Sequence, residues 1–216
     1  MKAKKTTTWI ILAIVLVVIS GFIFWWRSVQ KNNELPVYTS HGLYAFEIST
    51  PERAIGAYDY ACIAKVNKKL RTEHTKPIVS EVSATETKVF YTPYTVYEIE
   101  VLENIKGSLI TDRPIEFMQY GGLNEDGESY TLLNGGSLLK EGDYYILMSN
   151  ARNDIPGETL ISARPESMVH LIDGIEAESS QAVIEEYKAA YKNEIIPQEL
   201  QGRERIPSKY DVNYKK

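Results

Sequence analysis

From Trp9 to Trp26 the chain reads WIILAIVLVVISGFIFWW, 18 residues without a charge, with Lys2, Lys4 and Lys5 before it and Arg27 and Lys31 after it. As a helix this run covers about 27 Å, roughly the thickness of a hydrocarbon core. Every face would be apolar, which suits lipid and not the surface of a globular domain. Trp9 at one end and Trp25 and Trp26 at the other match the two membrane interfaces. Residues 9–26 are therefore predicted to form one transmembrane helix. The three lysines and the α-amino group outweigh Arg27 and Lys31, so the positive-inside tendency places residues 1–8 in the cytoplasm and the C-terminal domain outside. The competing reading is a signal peptide cut after Val18-Ile19-Ser20. That cut would leave a mature end reading GFIFWW, and the run exceeds a usual signal core, so the uncleaved anchor is favoured.

The span also reorganises the charge. Residues 1–31 carry five basic and no acidic residues, which leaves 19 basic against 29 acidic residues in 32–216, a net of −10. Such a domain repels polyphosphate, so nucleic acid and anionic head groups are disfavoured as partners. A cation or a basic protein partner is compatible with it. The single cysteine rules out an internal disulfide and a multi-cysteine zinc site, so packing must hold the fold.

Residues 27–42 read as a polar stalk, with Gln30, Asn32, Asn33 and Pro36. The domain proper is assigned to 43–196. A first extended piece is read at 43–48, then a short helix begins at Pro51 with Thr50 as its N-cap. Residues 60–66 alternate, with Cys62, Ala64 and Val66 on one face and Ala61 and Ile63 on the other. Residues 71–86 read as a connection with an irregular strand near 78–82. Further strands are predicted at 87–91, 94–105, 114–120, 130–133, 144–148, 159–163 and 168–172, separated by glycine breaks. The period then changes over 179–193, where Ile184, Tyr187 and Tyr191 fall on one stripe of an amphipathic helix with Ser179 as a cap. Beyond Pro197 the tail is polar and is expected to be loosely held. The fold class is mainly β, a small barrel or sandwich with a C-terminal helix.

Three segments carry a more specific likeness: AYDYACIAKV at 57–66, YTVYEI at 94–99 leading to Ile105-Lys106-Gly107, and LKEGDYYILM at 139–148. This series resembles the strands of the netrin-like OB barrel, the fold of the tissue inhibitors of metalloproteinases. It is also similar to membrane-anchored or secreted bacterial proteins of this layout. The resemblance covers roughly 57–172 and implies an OB-like barrel. It does not imply protease inhibition. Those inhibitors use an N-terminal cysteine on zinc and several disulfides, whereas here the N-terminus is assigned to the membrane and Cys62 is alone.

No GxSxG, Walker A, HExxH or dinucleotide glycine pattern is present, so no catalytic, metal or cofactor residue is assigned. Cys62 lies within an apolar alternation and reads as a small buried hydrophobe. Glu125-Asp126-Gly127-Glu128 lacks the alternating oxygen ligands of a calcium loop and reads as a solvated turn. Tyrosine is the enriched residue type, with 15 copies. Tyr91, Tyr94, Tyr97, Tyr120 and Tyr130 form the candidate binding face, against the plainer reading of strand propensity and cross-strand pairing. The expectation is a single-pass, extracytoplasmic binding module for another envelope protein or a ligand. The alternative is an envelope hydrolase drawing its acid and base from Glu98, Glu100, Glu103 and Glu116.

Overall fold

The computed structural model describes residues 35–75, 78–83, 86–152 and 159–215; the span assigned to 9–26 lies outside them. Among the described residues no helix is long and apolar enough to cross a membrane.

A closed barrel of five strands forms the centre of the domain. Its first strand is the longest of all, β2 (Tyr60–His74), and it pairs antiparallel on one side with β5 (Pro93–Lys106) and on the other, through Tyr60–Lys65, with β9 (Tyr144–Ala151). The β2–β5 register shifts at several points along the ladder. Each shift bends and twists the strand, which lets one strand serve two edges that would otherwise diverge. The ring continues from β5 to β6 (Ile115–Tyr120), from β6 to β10 (Leu160–Ser162), and closes from β10 to β9. Numbered within the barrel, the strand order is 1-2-3-5-4-1, and only the β6–β10 pair is parallel. A sixth strand, β11 (Met168–Leu171), adds to the outer side of β9.

The alternation of β2 has the predicted consequence. Tyr60, Cys62, Ala64 and Val66 face the lumen with Tyr97, Ile99, Phe117, Tyr145, Leu147 and Leu160, all buried. Small residues on β2 stand among large aromatics from the other strands, so the interior is filled by side chains and leaves no channel. Ala61 and Ile63 point outward into a second core. There α1 (Pro51–Ala57) and α2 (Glu178–Lys192) cover β2, β9 and β11 through Ile55, Ile184 and Ala190. Thr50 caps α1 as predicted, its hydroxyl accepting from the Arg53 amide. Ser179 does not cap α2. The N-cap is Ala177, and the Ser179 hydroxyl donates to Asp173 instead. Along the expected stripe Ile184 is buried, whereas Tyr191 is 39% exposed. Gly107, which ends β5, has φ +79°, and a Cβ there would lie 2.6 Å from the Tyr60 ring. A strand exit is possible here only without a side chain.

Four stretches differ from the sequence reading. The expected extended piece at 43–48 is irregular, and its Phe46 carbonyl accepts from the Arg164 side chain. The strand lies earlier, at β1 (Val37–Ser40) within the segment read as stalk, where it runs parallel to β8 (Tyr130–Leu133) in a small sheet with β7 (Gly122–Leu123). The connection read over 71–86 is shorter, since β2 runs on to His74; β3 (Ile78–Ser83) and β4 (Glu86–Phe90) then form a hairpin. The polar tail is tied down. The Tyr60 hydroxyl donates to Asp211 and accepts from the Ser208 amide, both at 2.8 Å, while Arg205 donates to the same Asp211 carboxylate. Val212 and Ile110 amides then bond to Ser108 and Tyr210 carbonyls.

Candidate functional site

The predicted tyrosines do not share one surface. Tyr97 is 1% exposed and belongs to the barrel lumen. Alternation on β5 and β6 turns Tyr94 and Tyr120 to the outer face, where their rings meet edge to face at 5.3 Å. The Arg152 guanidinium lies over Tyr94 at 5.1 Å. The Tyr120 hydroxyl donates to Ser40, which ties this pair to β1. Tyr130 is half-buried beneath the Lys69 ammonium, 5.6 Å from its ring centre. Only Tyr91, 38% exposed, opens to solvent in a concave setting.

That setting is a cleft of about 540 Å³ between Tyr91 and Tyr38, floored by the β7–β8 hairpin. Its turn is built locally. The Asn124 side chain donates to the Ser129 hydroxyl and accepts from Thr131, and Gly127 supplies the left-handed residue with φ +71°. Asp126 Oδ1 accepts from the Glu128 amide, so the run Glu125–Glu128 is an Asx-type turn. The turn places the exposed Glu125 and Asp126 in the lining of the same cleft as Tyr38 and Tyr91. Aromatic walls with carboxylates beside them suit an ammonium or guanidinium group, which gains from both ring and charge. Tyr38 escaped the sequence reading because nothing local distinguishes a stalk tyrosine from one that a parallel β1–β8 pairing brings to a hairpin 90 residues later.

The carboxylates considered for hydrolysis are not arranged as an acid and a base. Glu98 and Glu116 are cross-strand partners on the wet face of the barrel, and each has its own cation: Lys68 for Glu98 at 3.5 Å, and Arg71 for Glu116 in a two-pronged pair at 2.9 and 3.0 Å. The Arg71 hydrogen bonds hold the Glu116 carboxyl below its ordinary pKa, the wrong direction for a general acid. Glu103 pairs with Lys188 at 2.9 Å, and Glu100 is exposed. None of the four lines the cleft.

Among the histidines, His170 stacks on Tyr145 at 4.6 Å and its Nε2 lies 2.8 Å from Asp143. No hydroxyl or thiol stands at hydrogen-bonding distance from it among the described residues, so the pair lacks a nucleophile to activate. His74 Nε2 is engaged with the Leu123 carbonyl at 2.9 Å. Cys62 is buried in the lumen, and burial pushes its thiol up to about 12. It is expected to resist iodoacetamide at pH 8 in the native protein and to label fully in denaturant, read by intact-protein mass; native labelling would mean that the barrel opens. Among the described residues no group of three or more His, Cys, Asp or Glu side chains is placed to hold a metal ion. No protein-family model matches the chain, and no curated protein does either.

Proposed function

We propose that this chain is a noncatalytic binding module: an OB-like barrel, akin to the netrin-like domain, held outside the cell membrane by residues 9–26, with its N-terminus cytoplasmic. Its partner is another envelope protein, engaged through a basic segment. The OB-like reading is supported by five strands closed in the order 1-2-3-5-4-1. In OB barrels the ligand side is the outer face of the second and third strands with the loops joining strands 1–2 and 4–5.

The observation that carries the proposal is where this order puts the aromatic and acidic groups. Tyr94 and Tyr120 sit on the second and third barrel strands, Tyr91 ends the 1–2 connection, and Arg152 begins the 4–5 connection. Beside them the Tyr38–Tyr91 cleft presents Glu125 and Asp126. The domain's net charge of −10 favours approach of the same basic partner.

The full chain in neutral detergent, titrated with a lysine-rich peptide and with its fully acetylated form, tests this reading. Saturable binding by the first and loss of at least about tenfold on acetylation are expected. Tyr91→Ala and Glu125→Gln should each weaken binding several-fold, and high salt should weaken it further. Equal binding of both peptides would refute it.

A further inference from the structure

Arg164 is a buried cation packed on two aromatic rings. It directly precedes the turn Pro165–Ser167 and is 7% exposed. Its guanidinium lies 3.8 Å from the centre of the Tyr44 ring and 4.4 Å from that of Phe46, and Nη1 donates to the Phe46 carbonyl at 2.9 Å. No carboxylate stands at ion-pair distance from it among the described residues. A guanidinium carries five N–H donors, and among the described residues one has a hydrogen-bond partner. Ring contacts offset part of the cost of burying the charge, and the remaining N–H donors are those an acceptor in a cleft would meet.

Arg164 lines two clefts. The first, of about 490 Å³, already holds the carboxylates of Glu47 and Glu166. The second, of about 320 Å³, has no acidic residue in its lining and adds a second guanidinium, Arg203. Arg203 is paired with Asp59 at 2.7 Å, so the Arg164 guanidinium is the cation of this cleft that has no ion-pair partner among the described residues. The remaining walls include Tyr44, Phe46 and Leu200. The volume falls at the small end of the range for small-molecule sites.

We propose that this second cleft binds a small organic monocarboxylate, with the carboxylate on the Arg164 N–H edge and the apolar body against Tyr44, Phe46 and Leu200. One guanidinium without an ion-pair partner among the described residues suits a monoanion, its fork matches a carboxylate, and the aromatic walls exclude a bare inorganic ion as the best fit. The site is separate from the Tyr38–Tyr91 cleft and stands or falls independently of it.

The test uses the full chain in neutral detergent and a carboxylate-free buffer, with phenylacetate as probe and benzyl alcohol and phenethylamine as controls, read by saturation-transfer NMR. Saturable binding of phenylacetate alone is expected. Arg164→Gln should weaken it about tenfold or more. Ala163→Phe, which fills the cleft while keeping the guanidinium, should abolish it, so the test survives if the arginine variant fails to fold. Benzyl alcohol binding as tightly as phenylacetate would overturn the proposal. So would wild-type affinity in a folded Arg164→Gln, or no saturable binding of phenylacetate at all.

Discussion

Gly56→Ala is expected to destabilise the domain by about 2–3 kcal/mol, although the same change in an exposed helix would stabilise it by about 1 kcal/mol. Gly56 lies in α1 and is buried. A Cβ at this position would come within 2.2 Å of the Ile195 carbonyl oxygen and 2.5 Å of its carbon. Both are backbone atoms, so no rotamer change relieves the overlap. The chain after α2 approaches this closely because the Ile195 amide donates to the Glu52 carbonyl on α1. The overlap must therefore part α1 from the 193–197 segment or tilt α1 off Ala61 and Ile63. Urea unfolding of the full chain measures the effect as a lower midpoint at unchanged slope. An unchanged or raised midpoint would mean that α1 does not pack against this segment.

Asp211→Ala is the second large effect, a loss of about 2–3 kcal/mol concentrated in the tail. Asp211 is 7% exposed and accepts from the Tyr60 hydroxyl, Arg205 and the Asn213 amide. Burial raises the pKa of the Tyr60 phenol, which remains the neutral donor this bond requires. The Arg205 side chain is 46% exposed, so its ion pair is screened and most of the loss comes from the buried bonds. Hydrogen exchange should accelerate across residues 205–214 and stay slow in β2 and β5. Fast exchange of 205–214 in the wild-type protein would contradict the latch.

These two positions show what was legible in the sequence. Period-two alternation at 60–66 separated the lumen face from the outer face correctly, because a strand's faces are set by its own residues. The cap at Thr50 and the strand exit at Gly107 are equally local. Two of the misses are long-range, and the third is a matter of local strand parity. Tyr60 and Asp211 are partners across 151 positions, so the tail looked polar and unattached until its acid met a buried hydroxyl. Tyr97 looked like its neighbours Tyr91 and Tyr94, but strand parity sends it inward, where burial raises its phenol pKa. Arg164 gave no signal at all, since its aromatic neighbours Tyr44 and Phe46 lie about 120 residues earlier in a stretch that forms no strand.

Site-specific photocrosslinking in intact membranes tests the binding-module account most directly. A benzophenone amino acid replaces Tyr91 in one sample and Glu100, on the remote wet face of β5, in the other. The account predicts a discrete protein adduct from position 91, mapped to a lysine- or arginine-rich segment of an envelope protein, competed by the lysine-rich peptide and missing from position 100. Adducts of equal yield at both positions, or none at position 91, would contradict it.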